Sequence, residues 1–343
     1  QRRSSVMSKL SVNYMGISLK NPVIVGSSNL VNNPDMLRKL QDAGAAAIVY
    51  KSLFEEQIQL ESIQFQDEME LYNERNAEMI SLFPGMEHAG PEEHLTKLRE
   101  AKQLLDIPLI ASLNCVFNET WVEYAKLIEK TGVDGLELNF FSVPRDFDTE
   151  AKSIEDEQVA VVEEVCKSIS IPVSVKLSPF YTNPLQLISR MSKAGAKAFV
   201  LFNRMFEPDI NLDTLQHSTP FNLSNEGDYR LALRYAGVLH NNIPASVCAS
   251  SGIYSGNDAA KMILAGASAV QVVSAIYKHK PDLIGNIVAD LEGFMDKNGF
   301  GSLDEFRGIL SKSKVKDPYV YKRAQYIDLL LHSDQIFKKY PAV

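Results

Sequence analysis

Residues 244–275 read PASVCASSGIYSGNDAAKMILAGASAVQVVSA, and this stretch decides the fold. An apolar strand runs into a Ser-Gly turn, and a helix opens at Ser255-Gly256-Asn257-Asp258 and stops at Gly266. A second apolar strand follows and ends in Ser274-Ala275. Two consecutive strands that end in small residues bring backbone N–H groups close to an anion, and the first turn of a neighbouring helix adds a favourable dipole. That arrangement is a phosphate cup. In a (β/α)8 barrel it sits after the seventh and eighth strands, on the face where catalytic side chains collect. The same segment also reads as a βαβ unit whose small residues serve close packing alone, so the choice falls to the rest of the chain.

Working outward, eight apolar runs alternate with helical patterns: Val23–Gly26, Ala46–Lys51, Pro108–Asn114, Gly135–Phe140, Pro172–Leu177, Ala198–Asn203, Ala245–Ala249 and Ala269–Ser274. Near-continuous apolar strands separated by helices indicate a parallel sheet covered on its outer face, and eight repeats favour closure. The turns agree with this register. Ala43-Gly44-Ala45, Thr131-Gly132-Val133, Ala194-Gly195-Ala196 and Ala265-Gly266-Ala267 each place glycine where a helix ends and a strand begins. The expected fold class is α/β, a (β/α)8 TIM barrel. Two long connections, Leu53–Gly90 and Arg204–Gly227, are expected at its C-terminal face, and Pro281–Lys297 as the closing helix. Tyr319–Lys339 is expected to form an extra C-terminal helix.

The 343 residues carry a formal charge of -8, with 45% hydrophobic and 23% charged residues. These are values of a soluble globular protein, and no stretch has the apolar length of a membrane span. No Lys/Arg-rich run supplies a nucleic-acid footprint. Cys115, Cys166 and Cys248 are isolated, with no C-x-x-C pair, so neither a disulfide framework nor an iron–sulfur or other metal site is expected, and a reducing cytoplasm fits. Gln1–Val6 precede Met7 and read as leftover sequence, which leaves residues 7–343 as one expected domain.

Polar residues stand where the strands finish: Lys51-Ser52, Asn114, Asn139, Lys176 and Asn203. Such residues at the ends of separate barrel strands point into one site. Lys176, inside the apolar run SVKLSP, needs an anion or an electron-rich partner, because an unpaired buried ammonium is costly. A structural salt bridge would meet the same need.

The motifs NPVIVGSS (21–28), AGAAAIVYKS (43–52), LELNFFSVP (136–144), PVSVKLSPF (172–180), VLFN (200–203), the segment 250–275 and NGFGSLDEFRG (298–308) occur in an order that resembles the dihydroorotate dehydrogenase family, in its soluble class 1 branch. The resemblance runs from Asn21 to Gly308. It implies flavin mononucleotide (FMN) across the barrel mouth, lined by Gly26, Ser27, Lys51, Ser52, Asn114 and Asn139. Lys176 would lie near the N1/O2 side of the ring, where a cation stabilises the reduced, anionic flavin. Ser251-Gly252 and Val273-Ser274 would contact the phosphate. The family usually has glycine at the positions of Ser251 and Val273, so those contacts would use backbone N–H groups with a side chain turned away.

The family's catalytic base lies three residues after the asparagine of the "LN" pair, which here is Ser142 beside the catalytic candidates Lys51 and Lys176. An isolated serine is a poor base and would need a water relay or local activation; as a plain turn residue before Pro144 it would need neither. The resemblance thins at the substrate. Asn139 and Asn203 remain as substrate-binding candidates, but MISLFPGM (79–86) and FSVPRD (141–146) stand where relatives carry two further asparagines. Arg145 or Arg204 would supply a carboxylate contact instead, or would be a surface arginine. The resemblance therefore implies oxidation of dihydroorotate or a similar dihydropyrimidine, in pyrimidine biosynthesis, by a homodimer. The acceptor stays open among fumarate, NAD through a separate subunit and others. The alternatives are a flavin enzyme for another ring, or a cofactor-free phosphate-binding lyase or isomerase using Lys176.

Overall fold

The computed structural model describes residues 8–55, 91–115, 118–140, 147–204, 207–332 and 334–340. It begins with an antiparallel hairpin, β1 (Val12–Tyr14) and β2 (Ile17–Leu19), which the sequence reading does not anticipate. Met15 and Gly16 both take positive φ at its tip, as a two-residue type I′ turn requires.

The strand and helix alternation then unfolds as expected. In order come β3 (Val23–Val25), α1 (Pro34–Asp42), β4 (Ala47–Val49), the short β5 (Leu53–Phe54) and α2 (Pro91–Leu104). Next are β6 (Leu109–Asn114), α3 (Asn118–Glu129), β7 (Gly135–Asn139), α4 (Ala151–Ser168), β8 (Val173–Leu177), α5 (Pro184–Lys193) and β9 (Ala198–Leu201). A small hairpin, β10 (Asp209–Asn211) and β11 (Gln216–Ser218), stands in the long sixth connection, followed by α6 (Arg230–Leu239), β12 (Ser246–Ser250), α7 (Gly256–Ala265) and β13 (Ala269–Val272). The chain ends through α8 (Ser274–His279), α9 (Leu283–Asn298), α10 (Leu303–Phe306), α11 (Ala324–Leu331) and α12 (Asp334–Lys339).

Strands β3, β4, β6, β7, β8, β9, β12 and β13 pair in parallel in that order, and β13 returns to β3 through Val270 and Val23. The sheet is a closed (β/α)8 barrel. Residues facing the helices are apolar, among them Leu109, Leu136, Val175, Phe199 and Val270, each essentially without solvent exposure. The alternate positions face inward, as period-two pleating demands. The hairpin closes the N-terminal end: Tyr14 is buried, Met15 donates its N–H to Ser246 Oγ at 3.2 Å, and its Cε crowds Gly135. Ser246 and Gly135 are the first residues of β12 and β7, so the open end is the C-terminal one.

Expected boundaries are corrected: the second strand stops at Val49, not Lys51, and the sixth at Leu201, not Asn203. The eighth strand stops at Val272, not Ser274, because Val273 leaves the extended region (φ -137, ψ -66) and Ser274 starts α8. The extra C-terminal helix expected at Tyr319–Lys339 is instead a 3-10 turn, Pro318–Tyr321, followed by two short helices. Lys322 is extended (φ -91, ψ 155) and His332 departs from helical geometry, so the helix cannot run through. Among the described residues no helix is long and apolar enough to cross a membrane.

Candidate active site

Period-two alternation carries polar side chains into the upper barrel. On β6 it turns Ser112 and Asn114 inward, on β7 Glu137 and Asn139, on β8 Ser174 and Lys176, and on β13 Gln271, all buried. Gly26, Lys51, Asn114, Asn139, Lys176, Ser250 and Val273 stand at or just past the C-terminal ends of their strands.

Three connected groups form there. In the first, Ser52 donates its N–H to Ser27 Oγ at 3.1 Å, and its own Oγ lies 2.6 Å from Ser112 Oγ. Lys51 stands beside this group, half-buried, with its pKa lowered by burial and by the charge of Lys97. Behind it, burial together with Lys51 and Lys97 depresses the His94 imidazole to about 4.

The second group crosses the barrel. Lys176 Nζ donates to Gln271 Oε1 at 3.4 Å, and Gln271 Nε2 donates to Glu137 Oε2 at 2.7 Å. Lys176 thus reaches its carboxylate through an amide. Asn203 Nδ2 donates to Asn139 Oδ1 at 2.7 Å, so the two substrate candidates meet across strands β7 and β9.

The third group is the phosphate cup of residues 244–275. Ser251 and Gly252 take φ 76 and φ 73 in succession, so a serine adopts the left-handed backbone that glycine enters without steric cost. Its Oγ turns toward the Phe202 carbonyl, 3.5 Å away. A capping box follows: Ser255 Oγ accepts from the Asp258 N–H while the Asp258 carboxylate accepts from the Ser255 N–H, fixing the start of α7. Ser224, from the long sixth connection, is inserted into the cup. It donates its N–H to Ser274 Oγ at 2.9 Å, and its Oγ accepts the Gly252 N–H at 3.1 Å. Its carbonyl accepts from Tyr254 Oη and, at 2.9 Å, from Lys278 Nζ.

A cavity beside the cup is lined by Phe180, Phe202, Asn203, Arg204, Ser250 and Ser251. Arg204 lines this cavity and also holds a loop. Its Nε bonds the Asn222 carbonyl at 2.7 Å, its Nη2 the Asn222 side chain at 2.9 Å and its Nη1 Asp228 at 2.8 Å, which fastens the loop carrying Ser224. Ser142 and Arg145 lie outside the described residues, as does most of the Leu53–Gly90 connection.

Sequence reasoning missed Ser112, Glu137, Gln271 and Ser224. The first three had a signal, since each lies two residues before a named strand-end position and so faces the same way. Ser224 lies in an irregular connection where no periodicity applies. Among the described residues, no group of three or more His, Cys, Asp or Glu side chains is placed to hold a metal ion.

Residues 9–295 match the family model described as dihydroorotate dehydrogenase. The catalytic subunit of the NAD-dependent dihydroorotate dehydrogenase B of Thermoplasma volcanium is 30% identical over 317 residues, covering 89% of this chain and 100% of that protein. The chloroplastic NADP-dependent dihydropyrimidine dehydrogenase of Arabidopsis thaliana is 26% identical over 332 residues, 87% of this chain and 76% of that one. The NAD-dependent dihydropyrimidine dehydrogenase subunit PreA of Escherichia coli K12 is 24% identical over 329 residues, 89% and 78% of the two chains.

Proposed function

The chain belongs to the dihydroorotate dehydrogenase family, and from that premise we propose that it uses FMN to remove two hydrogens from adjacent carbons of a dihydropyrimidine ring, dihydroorotate or a close relative. The observation that carries this reading is the inward layer at the barrel mouth. A buried lysine, Lys176, a pair of linked amides, Asn139 and Asn203, and a position without a side chain, Gly26, stand there at the ends of different strands.

These residues suit the group. A Cβ on Gly26 would meet Val273 Cγ2 at 2.7 Å and Gln271 Oε1 at 3.1 Å, so packing keeps this position free of a side chain and its backbone bare. Ser27, Lys51, Ser52, Asn114, Asn139 and Lys176 would hold the ring system, and Ser251, Gly252, Val273 and Ser274 the phosphate. Ser224 and Lys278 join that cup by geometry. When bound, FMN supplies the acceptor for a hydride.

The chain's own residues do the rest. Lys176 brings its ammonium group to the mouth from a buried position, and a charge in water-poor surroundings acts more strongly than in solvent. Asn139, whose Oδ1 is occupied by Asn203, offers its NH2 to a ring carbonyl. Ser142, three residues on, would take the ring proton. Relatives named as catalytic subunits support electron exit through a separate subunit. The exposed Ile210, Leu212 and Leu215 of the β10–β11 hairpin support a homodimer, which a monomer mass at micromolar concentration would overturn.

The test is direct. Purified protein is expected to be yellow, or to become so on reconstitution with FMN, and to bleach anaerobically with dihydroorotate. Protein that takes up no flavin would overturn the reading. One observation favours a variant of it: Arg204 uses part of its guanidinium on Asn222 and Asp228, which leaves fewer donors for a substrate carboxylate. A ring without a carboxylate, such as dihydrouracil, is the second reading, and faster bleaching by it than by dihydroorotate would select it.

A further inference from the structure

Below the mouth, Lys176 is joined to two buried polar residues, Gln271 and Glu137, that the proposed reaction does not use. Glu137, Gln271 and Lys176 are all buried. Lysine has donors only, so Gln271 must turn its Oε1 to Lys176, which leaves its Nε2 to donate to Glu137. The amide is therefore oriented by the charges at its two ends. Among the described residues Glu137 Oε1 has no hydrogen-bond partner, although it is buried. An unpaired carboxylate oxygen in such a place is costly, and packing alone gives no reason to keep it.

Ser112 and Ser174 are the register partners of Glu137 on the flanking strands, and two titratable groups act on it from other elements. Tyr14 rises from the hairpin plug, and Cys248 faces in from β12. Burial, reinforced by the charge of Glu137, holds both well above their ordinary values, so both stay neutral. That leaves Glu137 and Lys176 as the acid and the base that the amide joins. Burial raises the Glu137 pKa, while Lys176 and the Gln271 bond oppose the rise. Along β7, Glu137 lies two residues below Asn139, about 7 Å, and Asn139 is the register partner of Lys176 on β8. At that separation a charge acts strongly in a low-dielectric interior.

We propose that Glu137, acting through Gln271, is a positioning residue that sets how much of the Lys176 charge reaches the barrel mouth, and so sets the reduction potential of a flavin bound there. The inference rests on the flavin reading above. As an anion Glu137 offsets the lysine, and without its charge the lysine acts at full strength. The amide between them keeps the two from collapsing into a direct ion pair.

Redox titration of the FMN-loaded protein tests this, with FMN affinity measured alongside by fluorescence. Glu137→Gln keeps the volume and the bond to Gln271 but removes the charge. Its preference for reduced over oxidised flavin is expected to rise about tenfold, about 30 mV for a two-electron couple. Gln271→Ala, which lets Glu137 approach Lys176, is expected to move the potential the other way. A packing role would lower the melting temperature and leave the potential alone. Bound flavin with an unchanged potential in Glu137→Gln overturns the inference while the functional reading stands. If Glu137→Gln does not fold, Gln271→Ala decides, and an unchanged or raised potential there overturns it. A parent protein that binds no flavin overturns both.

Discussion

The Cγ2 atom of Val273 stands 2.7 Å from where a Cβ on Gly26 would be. Valine is stiff about χ1, so it cannot turn aside cheaply. Gly26→Ala is therefore expected to destabilise by about 1–3 kcal/mol, the usual cost of overpacking, and to weaken FMN retention. Adding Val273→Ala should recover most of both losses. Calorimetry and FMN fluorescence on the single and double variants check this, and additive rather than compensating effects would mean that the two residues do not act on each other.

Lys176→Ala is expected to slow flavin reduction, or weaken flavin retention, far more than it lowers stability at low pH. Glu137 then loses the neighbour that holds its pKa down, so burial drives it higher still. A carboxyl whose folded pKa lies above its unfolded value contributes stability at low pH that is lost as pH rises through the folded value. The variant's melting temperature should therefore fall more steeply than the parent's as pH rises above the ordinary glutamate range. Parallel curves would remove the coupling between Lys176 and Glu137.

His94 gives the opposite sign. Its folded pKa, about 4, lies below the unfolded value, so stability is complete above about pH 6.5 and is lost as pH falls toward 4. The full shift corresponds to roughly 3 kcal/mol. Denaturant melts at pH 7 and pH 4.5 should show this loss in the parent and a smaller one in His94→Gln. Ring resonances of His94 that titrate near 6.5 would sink the prediction.

The barrel was legible because its signals are local and repeated. Gly44, Gly132, Gly195 and Gly266 all take the positive φ that their place after a helix predicted, and the apolar runs map onto the eight barrel strands. The hairpin at Val12–Leu19 escaped because six residues of strand carry no reliable period, and its role as a plug depends on contacts with Gly135 and Ser246, far away in sequence. At the candidate site the strand-end positions were readable from alternation. The partners of Lys176 were less so: a salt bridge was one expectation, and the structure interposes Gln271. Ser224 was invisible, since its place in the cup is set by Arg204 gripping Asn222 and Asp228, a tertiary fact with no sequence period.

Ser142 is the remaining expectation, and its neighbours supply the argument. Phe140, Phe141, Val143 and Pro144 flank it with apolar side chains, and Phe140 is buried against Trp121 with ring centroids 5.0 Å apart. If the serine takes the ring proton, Ser142→Ala should keep FMN bound but slow anaerobic reduction by at least about a hundredfold, the lower range for a positioned base. Ser142→Cys should retain partial activity with a pH profile moved to lower pH, because a thiol titrates far below a hydroxyl. Stopped-flow reduction of the two variants measures both effects. Unchanged rates in Ser142→Ala would make the serine a turn residue, and the proton would then have to leave through another group at the mouth, with Lys51, whose pKa burial already lowers, the first to replace.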